Sequence, residues 1–359
     1  MRFFLILFRV LERFDRGLVG KSKLCEIEGE IPTKRLFMKT GFAFAGAAAF
    51  IAQEAALAKA LMEGKALGRT IRPDVIAGTS SGALNAVVVN AILRTLDGNA
   101  PRGGEFRWGG PGDSGEDTYY GLLSGLKNKD VFTMSLGALA QGGVLDNSPL
   151  RRLLEHIVER RLGFATLGDL PLPTWLCVVD RATGKPWRLS SLHPHHKNLS
   201  LVDVLMASTA IPIVFPPQKI EAKMGQGLEG VFFDGGTGPD SIPVEALEDE
   251  NCDEIFLIDR MGSTAATSHK PDLAHASAES VSAMGGFHLE LVENTALGLE
   301  YLFRTINAQQ IEKASRLAAS VWVYEPELTT SYGILDFSQE KHQWEETWAW
   351  AQKNPPRRL

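Results

Sequence analysis

The sequence predicts an α/β fold organised around a mainly parallel sheet, and three observations carry that prediction. The chain opens as strand, helix, strand, helix between residues 35 and 96, the alternation that builds parallel sheets. Short apolar runs at Leu176–Asp180, Val231–Phe233, Glu254–Asp259 and Ser320–Tyr324 have the length and composition of buried strands. Finally, residues 74–86 read as an apolar strand that turns sharply through glycines into an Ala-, Val- and Leu-rich helix.

In order, Arg35–Lys39 is the expected first strand, and Gly41–Ala49 leads into an Ala-rich helix ending near Leu61. The strand and helix of residues 74–96 follow. Residues 98–117 hold seven glycines among polar residues, the composition of an exposed insertion or mobile loop. Asp146 or Asn147 caps a helix that carries Pro149 in its first turn and runs to about Arg161. Ser200 caps a short helix over Leu201–Ser208, and Ala210–Pro217 is an apolar loop broken by prolines. Residues 262–280 read as polar loop, 280–313 as a long helix, and 338–352 as a closing helix.

With 359 residues, 44% of them hydrophobic and 22% charged, the chain has the composition of a globular protein with a substantial core. A net charge of −6 leaves no overall basic footprint, which argues against a nucleic-acid partner. The three cysteines, Cys25, Cys177 and Cys252, are far apart and form no Cys-x-x-Cys pair. They suggest neither a disulfide framework nor a zinc site, and they fit a reducing, cytoplasmic compartment. His193, His195 and His196 lack further ligands at suitable spacing and read as an exposed loop; no metal or cofactor is expected.

No stretch reaches the roughly 18 consecutive apolar residues of a membrane-spanning helix. At the N-terminus, Arg2, Arg9, Arg13 and Arg16 share one narrow helical face, with Phe, Leu and Ile around the rest. That pattern serves equally as an interfacial helix on an anionic membrane or as a helix packed on the protein's own core.

Within the 74–86 segment, Gly78-Thr79-Ser80-Ser81-Gly82 is a G-x-S-x-G frame, the nucleophile elbow of serine hydrolases. A serine on so tight a turn has a strained backbone, and side chains two positions away would collide; Gly78 and Gly82 remove those collisions. The helix that begins at Ser81 offers unpaired N–H groups and a positive dipole end to a developing oxyanion. Serine still needs a base. His269, His275, His288 and His342 fall in polar sequence or apparent helices, so a Ser-His-Asp triad has no good candidate. Asp234 ends an apolar strand and precedes Gly235 and Gly236. It is placed either to accept the Ser80 proton directly or simply to begin a turn.

Taken together, Asp74–Ala86, Ala207–Pro212 with Phe215–Pro217, and Asp234–Gly236 resemble the motifs of the patatin-like phospholipases, in the family's order. Pro149–Arg151 and Leu335–Ser338 are weaker echoes. The resemblance implies a three-layer α/β/α patatin-like fold with a mainly parallel central sheet. It also implies a Ser80–Asp234 dyad without histidine, and hydrolysis of acyl esters in phospholipid or related lipids. One domain would span residues 35–359, with an insertion or loop region at 98–130, after an N-terminal helix and connector over residues 1–34. The family's G-G-G-x-x-G oxyanion loop is altered here: Gly46-Ala47-Ala48-Ala49 keeps only its first glycine. Alanine retains its N–H, so Gly46, Ala47 and Ala48, with Ser81, are the expected oxyanion donors. The expected function is therefore a serine lipid acyl hydrolase on a possible membrane anchor at residues 1–16. The alternatives are a non-catalytic or weakly active lipid-binding relative, or a soluble short-chain carboxylesterase.

Overall fold

The computed structural model describes residues 38–101, 103–221, 228–260 and 286–359. The expected N-terminal helix and connector, residues 35–37 of the expected first strand, and the loop over 262–280 lie outside these residues.

Among the described residues, nine strands form one mixed sheet: β1 (Thr40–Phe44), β2 (Val75–Thr79), β3 (Thr174–Asp180), β4 (Pro186–Ser190), β5 (Gln218–Ile220), β6 (Gly230–Asp234), β7 (Glu254–Ile258), β8 (Ser320–Tyr324) and β9 (Arg357–Arg358). Their order is β9-β8-β7-β1-β2-β3-β6-β5, with β4 also paired to β3. The five strands from β8 to β3 are parallel, and the outer pairings are antiparallel. The principal helices are α1 (Ile51–Met62), α2 (Ser81–Leu96), α3 (Tyr119–Gly125), α4 (Ser148–Leu154), α5 (Leu201–Ser208), α6 (Val244–Asp249), α7 (Gly286–Ala314) and α8 (Glu340–Ala351).

Side chains alternate across the sheet and make two cores. Phe42, Phe44, Ile76, Phe256 and Ile258 face α1, α2, α5 and α8. Ala43, Val75, Ala77, Ile255 and Leu257 face α6 and the end of α7. This is the period-two pattern of a sheet covered on both faces, and it gives the three layers.

Strand β1 begins at Thr40, five residues beyond the expected start, and takes residues that read as the approach to a helix. All five of its residues are buried, and at Gly41 a Cβ would come within 2.9 Å of Leu247 Cδ1. Small residues here serve close packing of helix on sheet rather than helix propensity. Helix α1 also departs from its apolar reading. Gln53 and Glu54 are fully buried, and Gln53 Nε2 donates to Gln343 Oε1 of α8 at 2.6 Å.

Residues 98–117 form the largely exposed loop expected of their composition, but two aromatics within it are buried. Phe106 and Trp108 are buried, and Trp108 joins Tyr119, Tyr120 and Trp344 in an aromatic cluster. The glycines turn the chain; the aromatics anchor it. Asp146 Oδ1 accepts from Ser148 N at 2.9 Å at the start of α4, and Ser200 Oγ accepts from Asp203 N at 3.3 Å at the start of α5. Beyond α4 the helix continues in π geometry over Glu155–Arg161.

Candidate active site

Strand β3 brings the two principal site residues together. One edge of β3 carries β4, so β2 and β6 share the other edge, end to end. Thr79 of β2 stands opposite Cys177, and Asp234 of β6 stands opposite Val178, the next residue. Because β2 runs parallel to β3 and β6 antiparallel, their C-terminal ends point at each other. Ser80 and Asp234 meet at that junction.

Ser80 takes the left-handed region at φ 55°, a conformation costly for a residue with a Cβ. Its surroundings enforce it. A Cβ on Gly78 would lie 2.3 Å from the Gly82 carbonyl oxygen, and one on Gly82 would lie 2.4 Å from the Ala45 carbonyl oxygen. Ser80 N donates to Ser208 Oγ at 3.0 Å, and that hydroxyl donates in turn to Cys177 O at 2.7 Å. Thr79 Oγ1 donates to Asp240 O at 2.6 Å. Ser208, at the end of α5, thus ties the elbow to β3. Its sequence neighbours mark a loop but give no sign of this bond, whose partners lie 128 residues apart.

Asp234 is completely buried. Its Oδ1 accepts from Gly236 N at 2.7 Å, while Oδ2 has no fully formed hydrogen bond. Burial raises its pKa from the ordinary 3.8 to about 7, against the opposing pull of the neighbouring Ser80 hydroxyl and the Gly236 amide. The Ser80 hydroxyl is therefore close enough to stabilise the carboxylate, although the contact lacks the geometry of a closed hydrogen bond, as is common before substrate binds. Gly235 lies so close to β3 that a Cβ would come 2.5 Å from Cys177 O.

The expected oxyanion residues divide into two groups. Gly46 N donates to Ser241 O at 2.9 Å, and Ala47 N to Ser81 Oγ at 3.0 Å, so both amides are engaged within the fold. Ala49 N donates to Ile334 O at 3.0 Å. Among the amides of residues 45–50, only that of Ala48 makes no hydrogen bond within the described protein. Ala48 sits at φ 47°, the left-handed conformation for which glycine is the usual residue. Ser81 N opens α2 and has no intrahelical acceptor.

Beside Ser80 lies a cavity of about 130 Å³ whose walls include Ala48 and Ser81 but not Gly46 or Ala47. Apart from Ser80, Ser81, Thr209 and Tyr119, the lining is aliphatic or phenylalanine, and among the described residues no histidine reaches it. Helices α2, α3 and α4 supply ten of its lining residues. Among the described residues no three His, Cys, Asp or Glu side chains are grouped as a metal would require, and no helix is long and apolar enough to cross a membrane.

A family model described as patatin-like phospholipase matches residues 38–248, more than half of the chain, a span that includes Ser80 and Asp234. The chain belongs to the patatin-like phospholipase family. The patatin fold accounts for the mixed, mostly parallel sheet with helices on both sides. Family membership supports lipid acyl hydrolysis in general, with lipid as the class of substrate. No curated protein matches the chain in sequence. Among solved structures, that of VipD from Legionella pneumophila aligns over 88% of this chain and 67% of its own, with 14% identity and a TM-score of 0.34. A likeness at that level bears on neither substrate nor site.

Proposed function

We propose that this patatin-family protein is a serine lipid acyl hydrolase working through Ser80 and Asp234. The observation that carries the reading is the junction on β3, where a strained serine and a buried carboxylate of pKa about 7 meet beside an apolar cavity. Asp234 takes the Ser80 proton as Oγ bonds to the ester carbonyl carbon. A pKa near 7 makes it a far stronger base than a solvated aspartate while leaving it substantially ionised at neutral pH. The amides of Ala48 and Ser81 hold the oxyanion, because they border the cavity and are not engaged elsewhere. Collapse expels the alcohol, which takes the proton from Asp234, and water activated by the same carboxylate releases the fatty acid from the acyl-enzyme.

A weakly active, lipid-binding role is the second reading. It is favoured by the engagement of the Gly46 and Ala47 amides, since losing one oxyanion donor costs ~100–1,000-fold in rate. Labelling by a fluorophosphonate probe separates the two. Strong labelling of the wild type, lost in Ser80→Ala and Asp234→Asn, supports the dyad; an unlabelled but folded wild type moves the lead to the second reading. Membrane contact through residues 1–16 is a separate proposal, tested by cosedimentation with anionic liposomes. Equal binding by a chain lacking those residues removes it.

A further inference from the structure

The cavity beside Ser80 has a floor as well as a mouth. On α2 its lining residues are Ser81, Leu84, Val87 and Val88, a single helical face leading away from the nucleophile. From Ser81 to Val88 that face is about 10 Å long, at 1.5 Å per residue. Leu84, Leu122, Leu126, Leu153 and Phe337 are half-buried and rim the opening. Val88, the last lining residue along that face, is buried, as are Val158 and Leu162 of the lining. One turn further along α2, Ile92 is buried and does not line the cavity, so core side chains close that face beyond Val88.

The geometry points to an acyl-length gauge: a straight chain of about eight to ten carbons fits between Ser80 and a floor at Val88, at ~1.25 Å of advance per carbon for 1.52 Å bonds. This rests on the acyl-hydrolase reading and deepens it, assigning medium-chain esters as the preferred acyl class and Val88 as a specificity determinant. A longer chain must either leave its tail outside the cavity or lift its carbonyl away from Ser80. A shorter one leaves apolar wall unfilled.

The test is binding of straight saturated fatty acids, four to sixteen carbons long, to the full-length Ser80→Ala protein by isothermal titration calorimetry. Affinity is expected to rise about three- to fourfold per carbon, the gain from burying one methylene, and to level off between eight and ten carbons. Val88→Phe is expected to lower the plateau by two or three carbons, and Val88→Ala to raise it by one or two. Circular dichroism establishes that each variant is folded; if the bulky one is not, the alanine variant decides. Affinity that climbs steadily to sixteen carbons, no length dependence at all, or a plateau unmoved by Val88→Ala overturns the gauge. Hydrolysis of the matching nitrophenyl esters by wild type is measured beside it. A binding plateau without Ser80-dependent hydrolysis defeats the catalytic reading alone, while hydrolysis with no plateau defeats the gauge alone.

Discussion

Two short segments beside the cavity, the elbow at Gly78–Gly82 and the loop at Gly46–Ala49, both place a non-glycine residue in the left-handed region. Ser80 stands at φ 55° and Ala48 at φ 47°. In the elbow, glycine occupies each neighbouring position where a Cβ would strike backbone, and hydrogen bonds from two other elements hold the turn. The strained residue there carries the hydroxyl. In the loop, the strained residue offers only its amide, and glycine would occupy the same conformation at less cost. Strain is thus buttressed at one site and merely tolerated at the other.

The largest expected effect breaks the buttress. Gly78→Ala sets a methyl 2.3 Å from the Gly82 carbonyl oxygen, and neither backbone segment can yield. The expected cost is more than ~4 kcal/mol, at the extreme of single substitutions. Urea denaturation would show it, and fluorophosphonate labelling should disappear with it. A variant of normal stability would mean that the elbow is looser than its geometry.

Asp234→Asn comes next and acts in two directions. With its folded pKa raised from 3.8 to about 7, Asp234 binds its proton more tightly folded than unfolded. Stability from this group is complete below about pH 4 and falls as pH rises towards 7. Replacing the carboxylate should therefore stabilise the protein at pH 8, by on the order of a few kcal/mol, and narrow the gap at pH 4. Activity should vanish at both pH values, whereas wild-type activity climbs with pH through about 7 as the base ionises. Thermal melts at the two pH values check the first outcome and a pH–rate profile the second.

Ser208→Ala removes the acceptor of Ser80 N and the donor to Cys177 O, leaving two buried backbone groups unmet. A loss of ~2–6 kcal/mol is expected, from ~1–3 kcal/mol for each group. Slower probe labelling in the folded fraction would show the serine losing its pose; an unchanged labelling rate would confine Ser208 to stability. The smallest effect sharpens the contrast. Ala48→Gly trades ~1–2 kcal/mol of left-handed strain against ~0.5–1 kcal/mol of chain entropy. A net gain of up to about 1.5 kcal/mol should appear as a modest rise in Tm, while glycine at an unstrained site would lower it.

The elbow was legible in the sequence because both of its glycines answer to a local collision that spacing alone reveals. Val75–Thr79 and Ser320–Tyr324 were legible because buried strands in a parallel sheet are short and apolar. Strand β1 was displaced in the sequence reading because Gly41-Phe42-Ala43-Phe44 runs into the alanines of α1, and no local signal separates them. Trp108 was hidden by the glycines around it, since its burial depends on Trp344, far along the chain. The division of labour among Gly46, Ala47 and Ala48 was beyond reach for the same reason. Ser241 and Ser81, which occupy the first two amides, are brought in by tertiary folding.

The end-to-end arrangement of β2 and β6 on β3 has a kinetic consequence. Thr79, the neighbour of the proposed nucleophile Ser80, and the proposed base Asp234 pair with adjacent residues, Cys177 and Val178, of one buried strand, so neither can be displaced gradually while the other stays in place. Inactivation by heat should be all-or-none: at every stage of a thermal challenge the surviving molecules should react with full speed, and only their number should fall.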